Sequence, residues 1–319
     1  MSKPVLFVTG LGRSIDRSEN IHVLYDAYKG KKKFMSMNNS EFDSEVNSGK
    51  YGLMVIDIFP LNSPGKTIML WHSIQGGKYI GLDQRDTYYK PEYANLIDCI
   101  VSAGHGGSKM WNRCTGVPES RIKSLGMPRT DRYFGKKKGD GHTVMADKKA
   151  YLFAPTFRTM NETPFPMIDW QLIDNALADD EIMVVKAHPY GFSFDIKGYK
   201  HIVEADKMLP SVNYLYDADV VITDYSSIIF DAYLLGKPAV LFEKNPGYVN
   251  TRGMYMEYPG NYCSFYVNNE TALIDMVRFR QKHPWLTDKE LNCIDFVADA
   301  CDGDSCKRIC ELIDEMKGD

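Results

Sequence analysis

The sequence lacks the cysteine patterns, the long apolar runs and the basic excess that mark several large classes of protein. Its seven cysteines are scattered and odd in number, and none forms a CxxC pair or a His/Cys zinc spacing, so we interpret them as reduced, structural thiols. No apolar run reaches the length of a membrane span, and the N-terminus leads into a strand without a signal-peptide pattern. The formal net charge of −4 argues against nucleic-acid binding, which usually requires a basic surface. These absences predict a cytoplasmic protein.

Two phosphate-binding signatures are also absent. The chain contains no Walker-A loop, and Gly10-Leu11-Gly12 is too short for a dinucleotide fingerprint. An ATPase or a dehydrogenase is therefore not expected. Asp224 and Asp231 stand seven residues apart without an evident third ligand, so we predict no metal site. No cofactor is required, and a divalent cation is optional.

Apolar runs predict strands at residues 4–9, 53–59, 67–71, 97–103, 151–154 and 182–186, in addition to two described below. The predicted strands alternate with helical segments along all 319 residues, which is typical of parallel sheets with helices on their faces. A polar stretch rich in Gly and Lys, residues 135–149, interrupts this pattern and is interpreted as a linker. We therefore expect an N-terminal, acceptor-side Rossmann-like domain over residues 1–134. A C-terminal, donor-binding Rossmann-like domain is expected over residues 150–319, and its last helix could pack back on the first domain.

The most informative stretch is residues 219–242, DVVITDYSSIIFDAYLLGKPAVLF. A β-branched apolar run predicts a buried strand, a helical segment follows as far as Gly236, and residues 239–242 predict a second buried strand. Ser226 and Ser227 stand in the turn between the first strand and the helix. Hydroxyl and backbone N–H donors at the carboxyl end of a parallel strand suit phosphate oxygens. The turn is therefore predicted to bind phosphate.

A second motif, WHSIQGGK at residues 71–78, also follows a predicted strand. His72 can take a proton from a hydroxyl near neutral pH. The glycines behind it, Gly76 and Gly77, allow the backbone to approach an anion closely. The alternative is a histidine that only forms hydrogen bonds within its own loop.

Two motifs of the second half follow strands in the same way. Lys186 and His188 point to the same side of an extended chain and could both face a phosphate; the alternative is a solvated lysine beside a buried histidine. Pro155 and Thr156 could contact a nucleobase edge or a ribose, with Arg158 near a phosphate. The alternative there is an ordinary strand exit.

The remaining cationic residues are less specific. Arg129, in the segment GMPRTD, is either an anion clamp or a surface ion pair. Arg252 lies in a loop and is interpreted as structural. The lysine runs 31–33 and 136–138 are interpreted as solvated loops, with contact to anionic lipid head groups as the functional alternative.

Together, these strand-end residues predict the transfer of a phosphoryl-linked group from an activated nucleotide. Two histidines, two serines, a lysine and arginines follow strands in both halves of the chain. Serine hydroxyls and backbone N–H groups would hold a diphosphate, and a histidine would activate the acceptor hydroxyl.

The motifs occur in an order that resembles the CDP-glycerol glycerophosphotransferase family, the teichoic-acid primases and polymerases, which has relatives that use CDP-ribitol. The resemblance covers about residue 67 to the C-terminus. It is carried by the segments WHSIQGGKYIG, GMPRTD, APTFR, KAHP and ITDYSSIIFDAYLLGKPAVLF. One departure concerns the first histidine: the family usually reads Trp-His-Gly-Thr, whereas Ser73 and Ile74 follow His72 here.

The resemblance implies an α/β fold with two Rossmann-like domains of GT-B type, whose parallel sheets face a central cleft. It also implies attack of an acceptor hydroxyl on the β-phosphorus of CDP-glycerol, with release of CMP. His72 would be the general base, and His188, the second catalytic residue, would lie at the donor diphosphate. Taken with the motifs above, the predicted donor-binding residues are Ser73, Gly76, Arg129, Pro155, Thr156, Lys186, Ser226, Ser227 and Asp231.

The resemblance further implies a biological setting. The donor would be CDP-glycerol or CDP-ribitol, and the acceptor a polyprenyl-linked or polyol-phosphate chain. The product would be a teichoic-acid-like or capsular polymer, made at the inner face of the cell membrane with peripheral contact to it. Two other functions fit the same motifs: a GT-B glycosyltransferase that uses a nucleotide-sugar, and a nucleotide-binding relative without catalysis.

Overall fold

The computed structural model describes residues 3–10, 19–77, 91–156, 167–187, 194–206, 209–244 and 253–317. The chain divides into two compact units. The first unit consists of Met1–Phe134 together with Asp295–Asp319, and the second unit is Gly135–Ile294. Among the described residues, no helix has both the length and the apolar character needed to cross a membrane.

The first unit is built on a six-stranded parallel sheet in the order β2-β1-β3-β4-β5-β6. Its strands are β1 (Val5–Thr9), β2 (Lys32–Ser36), β3 (Leu53–Ile56), β4 (Lys66–Met69), β5 (Cys99–Ser102) and β6 (Ile122–Ser124). Its helices are α1 (Asn20–Ala27), α2 (Phe42–Val46) and α3 (His105–Thr115), with 3-10 helices at Pro91–Leu96, Glu119–Arg121 and Pro128–Arg132. The central strands are buried on both faces, as their continuous apolar runs require.

The second unit repeats this architecture with the strand order β12-β11-β10-β7-β8-β9. Its strands are β7 (Lys149–Phe153), β8 (Glu181–Val185), β9 (Ile202–Glu204), β10 (Val220–Thr223), β11 (Ala239–Phe242) and β12 (Tyr266–Val267). Its helices are α4 (Trp170–Ala176), α5 (Ser211–Asp217), α6 (Ile228–Leu234) and α7 (Glu270–Lys282). Two further helices, α8 (Asp288–Ala298) and α9 (Ser305–Lys317), complete the chain.

The predicted α/β class with two Rossmann-like halves is confirmed. The two sheets are parallel throughout, and each central strand lies where an apolar run predicts it. The predicted helix stop at Gly236 is also observed, since this residue follows α6 with a φ of 66°, which glycine adopts without steric cost. The facing of the two sheets across a cleft stays a prediction.

Residues 135–149, predicted as a linker, instead belong to the compact second unit. The side chain of Asp217 holds them: it accepts hydrogen bonds from the backbone N–H groups of Gly139, Gly141 and Thr143 at 2.9, 3.0 and 2.8 Å. A fourth bond comes from the hydroxyl of Thr143 at 2.7 Å. A polar, glycine-rich segment can therefore pack when one buried carboxylate satisfies several of its backbone donors.

The C-terminal residues 295–319 also differ from the prediction, because they belong to the first unit and not to a domain that spans 150–319. Ile309 and Ile313 of α9 are fully buried in the core of the first sheet, against Val55 and Leu70 among others. The helix packs here because its apolar face covers the sheet. The expectation that the last helix packs on the N-terminal half agrees with this division.

Candidate functional site

The loop that carries His72 leaves β4 through an unusual backbone conformation at Trp71. Trp71 has a φ of 64°, in the left-handed region that costs an ordinary residue about 1–2 kcal/mol. Its ring packs against Phe59 at 5.2 Å and Trp111 at 5.4 Å between centroids. This aromatic packing stabilises the turn that leads from β4 to the half-buried His72.

A hydrogen-bond network fixes the backbone of the same loop. Arg129 donates from Nη1 to the carbonyl oxygen of His72 at 2.8 Å. Asn20, which is fully buried at the start of α1, donates to the carbonyl of Trp71 at 3.0 Å and accepts from the backbone N–H of Arg129 at 3.0 Å. Glu19 pairs with Arg129 at 3.5 Å. The network holds the His72 loop, α1 and the GMPRTD segment together.

The other predicted residues of this loop follow His72 in the chain. Ser73 is half-buried, and Gly76 is buried. A Cβ at Gly107, in the first turn of α3, would stand 3.4 Å from the carbonyl oxygen of Gln75, an ordinary van der Waals contact. Lys78 lies outside the described residues. The predicted donor contacts of Ser73, Gly76 and Arg129 stay predictions.

Asp57 is a candidate that the sequence analysis missed. It follows β3, the neighbour of β4, and is 1% exposed. Its carboxylate accepts hydrogen bonds from the hydroxyl of Thr9 at 2.9 Å and the N–H of Gly10 at 2.8 Å. Burial nevertheless raises the pKa of Asp57 to about 6, although both hydrogen bonds act to lower it. A single aspartate after a strand is an ordinary turn residue, so the sequence carried no signal for it.

In the second unit, Asp224 ties together the ends of β7 and β10. Its Oδ1 accepts the backbone N–H of Thr156 at 2.7 Å and that of Tyr225 at 2.6 Å. The hydroxyl of Thr223 donates to the carbonyl of Ala154 at 2.7 Å across the same pair of strands. Asp224 is 3% exposed, so its carboxylate organises this backbone. Among the described residues, no group of three or more His, Cys, Asp or Glu side chains could hold a metal ion.

Thr156 presents a buried hydroxyl at this strand end. The residue is 5% exposed, and within the described part of the chain no group forms a hydrogen bond with its Oγ1. A buried hydroxyl without a partner costs about 1–3 kcal/mol, so such a group is unusual unless a ligand satisfies it. Pro155 directly precedes Thr156, and both residues follow the strand β7, which ends at Phe153.

Ser226 and Ser227 lie in the turn between β10 and α6, where the sequence predicts them. Both are half-buried. The Oγ of Ser226 accepts a long hydrogen bond of 3.4 Å from the N–H of Ile228, whereas the side chain of Ser227 forms no capping bond to α6. Asp231 is 5% exposed in the first turn of α6. Contact of these three residues with a donor stays a prediction.

Lys186 follows β8 directly and is half-buried. Its backbone N–H donates to the carbonyl of Phe153 at 2.8 Å, and its ammonium lies 6.0 Å from the centroid of the Tyr214 ring, at the limit of a cation–π contact. His188, the second predicted catalytic residue, lies outside the described residues, as do Arg158 and Arg252.

The strand order brings the described candidates of the second unit to one edge of its sheet. β10, β7 and β8 are adjacent, so the serine turn, Thr156 and Lys186 follow three neighbouring strands at their carboxyl ends. Neighbouring strands lie about 4.8 Å apart, so the three strand ends span about 10 Å. Hydroxyls and an ammonium at this spacing can hold an extended anion such as a nucleoside diphosphate.

Comparison with known proteins supports the same chemistry. The family model described as CDP-glycerol:poly(glycerophosphate) glycerophosphotransferase matches residues 52–315. Two curated relatives are the teichoic acid poly(ribitol-phosphate) polymerase of Bacillus spizizenii (strain W23), 28% identical over 65% of this chain, and the teichoic acid glycerol-phosphate primase of Bacillus subtilis (strain 168), 26% identical over 70%. This chain spans 38% of the length of the first and 63% of the second.

A solved structure confirms the fold. A variant of the wall teichoic acid polymerase TagF superposes with a TM-score of 0.79, covering 99% of this chain and 89% of that one, at 19% sequence identity. The match therefore extends over both units.

Proposed function

The chain belongs to the CDP-glycerol:poly(glycerophosphate) glycerophosphotransferase family, and we propose that it is a CDP-polyol phosphotransferase. The family match over residues 52–315 is the observation that carries the proposal, because it includes both the His72 loop and the serine turn. The proposed substrate is CDP-glycerol, with CDP-ribitol as the related donor. The acceptor is a polyprenyl-linked or polyol-phosphate chain, and the product is a teichoic-acid-like or capsular polymer.

In the proposed reaction, an oxygen of the acceptor hydroxyl attacks the β-phosphorus of the donor. The new phosphorus–oxygen bond forms as the bond between the β-phosphorus and the bridging oxygen breaks, and CMP leaves with that oxygen. His72 takes the proton of the acceptor hydroxyl as general base. The fixed backbone of its loop supports this role, because a base must be held within hydrogen-bond reach of the proton that it removes.

The donor is proposed to bind at the carboxyl edge of the second sheet. Ser226 and Ser227 would donate hydrogen bonds to the diphosphate, and Lys186 would neutralise part of its charge. The buried hydroxyl of Thr156 would bond to the nucleoside. His188 and Asp231 complete the proposed donor site, as the family resemblance implies.

Peripheral contact with the inner face of the membrane is also part of the proposal. The two lysine runs are the basis for this contact, although lysines of both runs also form contacts within their own units. Lys138 pairs with Asp219 at 2.6 Å, and Lys32 donates to the carbonyl of Tyr28 at 2.6 Å. Lys32 and Lys33 begin the strand β2 and not a solvated loop, and Lys33 pairs with Glu45 at 3.1 Å. The exposed Lys136 and Lys137 are the proposed lipid contacts.

The test is to incubate the protein with CDP-glycerol or CDP-ribitol and a lipid-linked or polyol-phosphate acceptor, and to measure CMP. Acceptor-dependent CMP release is expected with one of the two donors. No release above background with either donor and any of these acceptors would overturn the proposal. A thermal-shift screen with nucleotide-sugars runs in parallel: stabilisation by a nucleotide-sugar alone would favour a glycosyltransferase, and stabilisation by CDP-glycerol without turnover a non-catalytic relative.

A further inference from the structure

The 3-10 helix Pro128–Arg132 carries two side chains that hold different parts of the first unit. Arg129 donates to the carbonyl of His72. Two residues later, Asp131 accepts hydrogen bonds from the first turn of the C-terminal helix α9. The distance along the chain between the two anchors is therefore less than one helical turn.

Both oxygens of Asp131 are used by α9. Oδ1 accepts the N–H of Ser305 at 3.0 Å, and Oδ2 accepts the N–H of Cys306 at 2.7 Å. These N–H groups belong to the first helical turn, which has no intrahelical acceptor for them. Asp131 thus caps α9 although it lies 174 and 175 residues away in sequence, and a carboxylate is favourable at the positive end of a helix.

The helix that Asp131 caps is itself firmly placed. Ile309 and Ile313 are fully buried in the core of the first unit. Arg308 donates to the carbonyl of Leu125 at 3.1 Å, just before the 3-10 helix. At Gly126, which has a φ of 84°, a Cβ would overlap the carbonyl of Ala300 and the hydroxyl of Ser305. The chain before α9 therefore packs directly on the GMPRTD segment.

We propose that Asp131 is a positioning residue for the transfer reaction: it fixes the 3-10 helix to α9 and thereby sets Arg129 and the backbone of His72. The inference rests on the proposed function, in which His72 is the general base. Asp131 contacts neither His72 nor, in this proposal, the substrate. It acts through Arg129, because a shift of the 3-10 helix moves the guanidinium that holds the His72 carbonyl.

Asp131→Ala removes both acceptors, and Asp131→Asn keeps one carbonyl oxygen as an acceptor. Asn269→Ala is the matched control: Asn269 caps α7 through the N–H of Ala272 at 2.9 Å, and α7 has 13 residues, as α9 does. The measurements are kcat and KM for CMP release, the melting temperature, and hydrogen exchange of the peptide that contains residues 71–77.

We expect Asp131→Ala to lower kcat by about tenfold to a hundredfold, since small misplacements of a catalytic group have effects of that order. The KM for the donor should change less than about twofold, because in the proposed function the donor is held mainly by residues of the second unit. Exchange in residues 71–77 should become faster, and Asp131→Asn should restore most of kcat. Asn269→Ala should lower the melting temperature by a similar amount while kcat and the exchange of residues 71–77 stay unchanged.

Equal effects of Asp131→Ala and Asn269→Ala on kcat would overturn the proposal, since Asp131 would then serve only stability. Faster loop exchange without a loss of kcat would also overturn it. If the wild-type protein releases no CMP at all, the proposed function fails, and the exchange experiment alone decides whether Asp131 positions the His72 loop. Unchanged exchange in residues 71–77 would then refute the coupling itself.

Discussion

At the scale of single residues, the loop after β4 shows how the backbone of His72, the proposed general base, is held. Trp71 occupies a left-handed backbone conformation that its aromatic neighbours stabilise, and Arg129 holds the carbonyl of His72. Strained backbone conformations persist where the surrounding structure determines them, and they concentrate at functional sites. The placement of His72, together with the family match, is the reason for proposing that this residue is the general base.

His72→Ala tests this assignment. We expect turnover to fall by about two to four powers of ten, the usual contribution of a general base, while the affinity for CDP-glycerol stays nearly unchanged. The measurements are kcat for CMP release and donor affinity by calorimetry. His105→Ala is the control, because His105 also follows a strand of the same sheet but pairs with Asp299 at 2.9 Å. Loss of donor affinity with unchanged turnover would contradict the role given to His72.

Removal of the Thr156 hydroxyl should have different effects on stability and on donor binding. Thr156→Val removes a buried hydroxyl that no described group satisfies, so the unliganded protein should keep its stability or gain up to about 1 kcal/mol. Donor affinity should fall about fivefold, the value of one hydrogen bond. Calorimetric titration and urea unfolding measure the two effects.

The matched control for Thr156 is Thr115→Val. Thr115 is also buried, but its hydroxyl donates to the carbonyl of Trp111 at 2.6 Å. This change should cost about 1–3 kcal/mol of stability and leave donor affinity unaltered. If Thr156→Val is as destabilising as the control and binds donor normally, then Thr156 is only a structural residue.

The raised pKa of Asp57 predicts that the stability of the protein depends on pH. Burial raises its pKa from an ordinary value of 3.8 to about 6, so the folded state favours the protonated carboxyl. The contribution of Asp57 to stability is fully present below the pKa that this residue has in the unfolded chain, and it is lost as the pH rises through 6. Relative to Asp57→Asn, which does not titrate, the wild type should lose about 2 kcal/mol between pH 4 and pH 8. Urea unfolding of both proteins at several pH values measures this, and parallel curves would contradict it.

At the scale of secondary structure, the central strands and the edge strands behave differently. The eight central strands carry apolar runs and were predicted from them. The four edge strands, β2, β6, β9 and β12, were not predicted. They are short or polar and only partly buried, as in KKFMS and IKS. An edge strand pairs on one side only, so its sequence needs no apolar run and often carries charge.

A single carboxylate, that of Asp217, holds the segment 135–149. Its removal should therefore destabilise the protein and loosen this segment. Asp217→Ala leaves the N–H groups of Gly139, Gly141 and Thr143 without their acceptor, which should cost about 2–4 kcal/mol. Urea unfolding measures this cost, and limited proteolysis should show new cleavage within residues 135–149.

The pH dependence at Asp217 has the opposite sign to that at Asp57. Burial acts to raise its pKa, but the hydrogen bonds from Thr143, Gly139 and Gly141 lower it below the ordinary value of 3.8. Its stabilisation is therefore present above that value and is lost as the pH falls through the lowered pKa. The control is Asp180→Ala, which breaks only the exposed pair with Lys149 and should change stability little. Equal proteolysis of both variants would contradict the role of Asp217.

At the scale of the whole molecule, the chain order and the two compact units do not coincide. The first unit closes with residues 295–319, after the second unit is complete. Its core includes Ile309 and Ile313 from that last segment, packed with residues from β1, β3 and β4. The first unit therefore depends on the end of the chain for its stability.

Deletion of residues 295–319 should unfold the first unit and leave the second folded. The core of the first sheet would lose the two isoleucines and Leu312, and removing even one such side chain costs about 2–5 kcal/mol. Hydrogen exchange resolved by peptide should show protection lost in residues 3–134 and retained in 135–294. Glu311→Ala, on the exposed side of α9, is the control; retained protection in both halves of the deleted protein would contradict the expectation.

The sequence by itself determined the α/β class, the central strands, the end of α6 at Gly236 and the strand-end positions of His72, Thr156, Ser226 and Ser227. Each of these follows from local signals, since apolar runs and turn residues act within a few positions of the chain.

The tertiary structure decided what holds those positions. Asn20 contacts Trp71 and Arg129 at separations of 51 and 109 residues, Asp131 reaches α9, and Asp57 becomes a buried carboxylate only once β3 lies between β1 and β4. Hydrogen bonds between distant residues leave no periodic pattern in the sequence, because either partner alone is an ordinary polar residue. Only folding brings the partners together and shows which polar groups are buried.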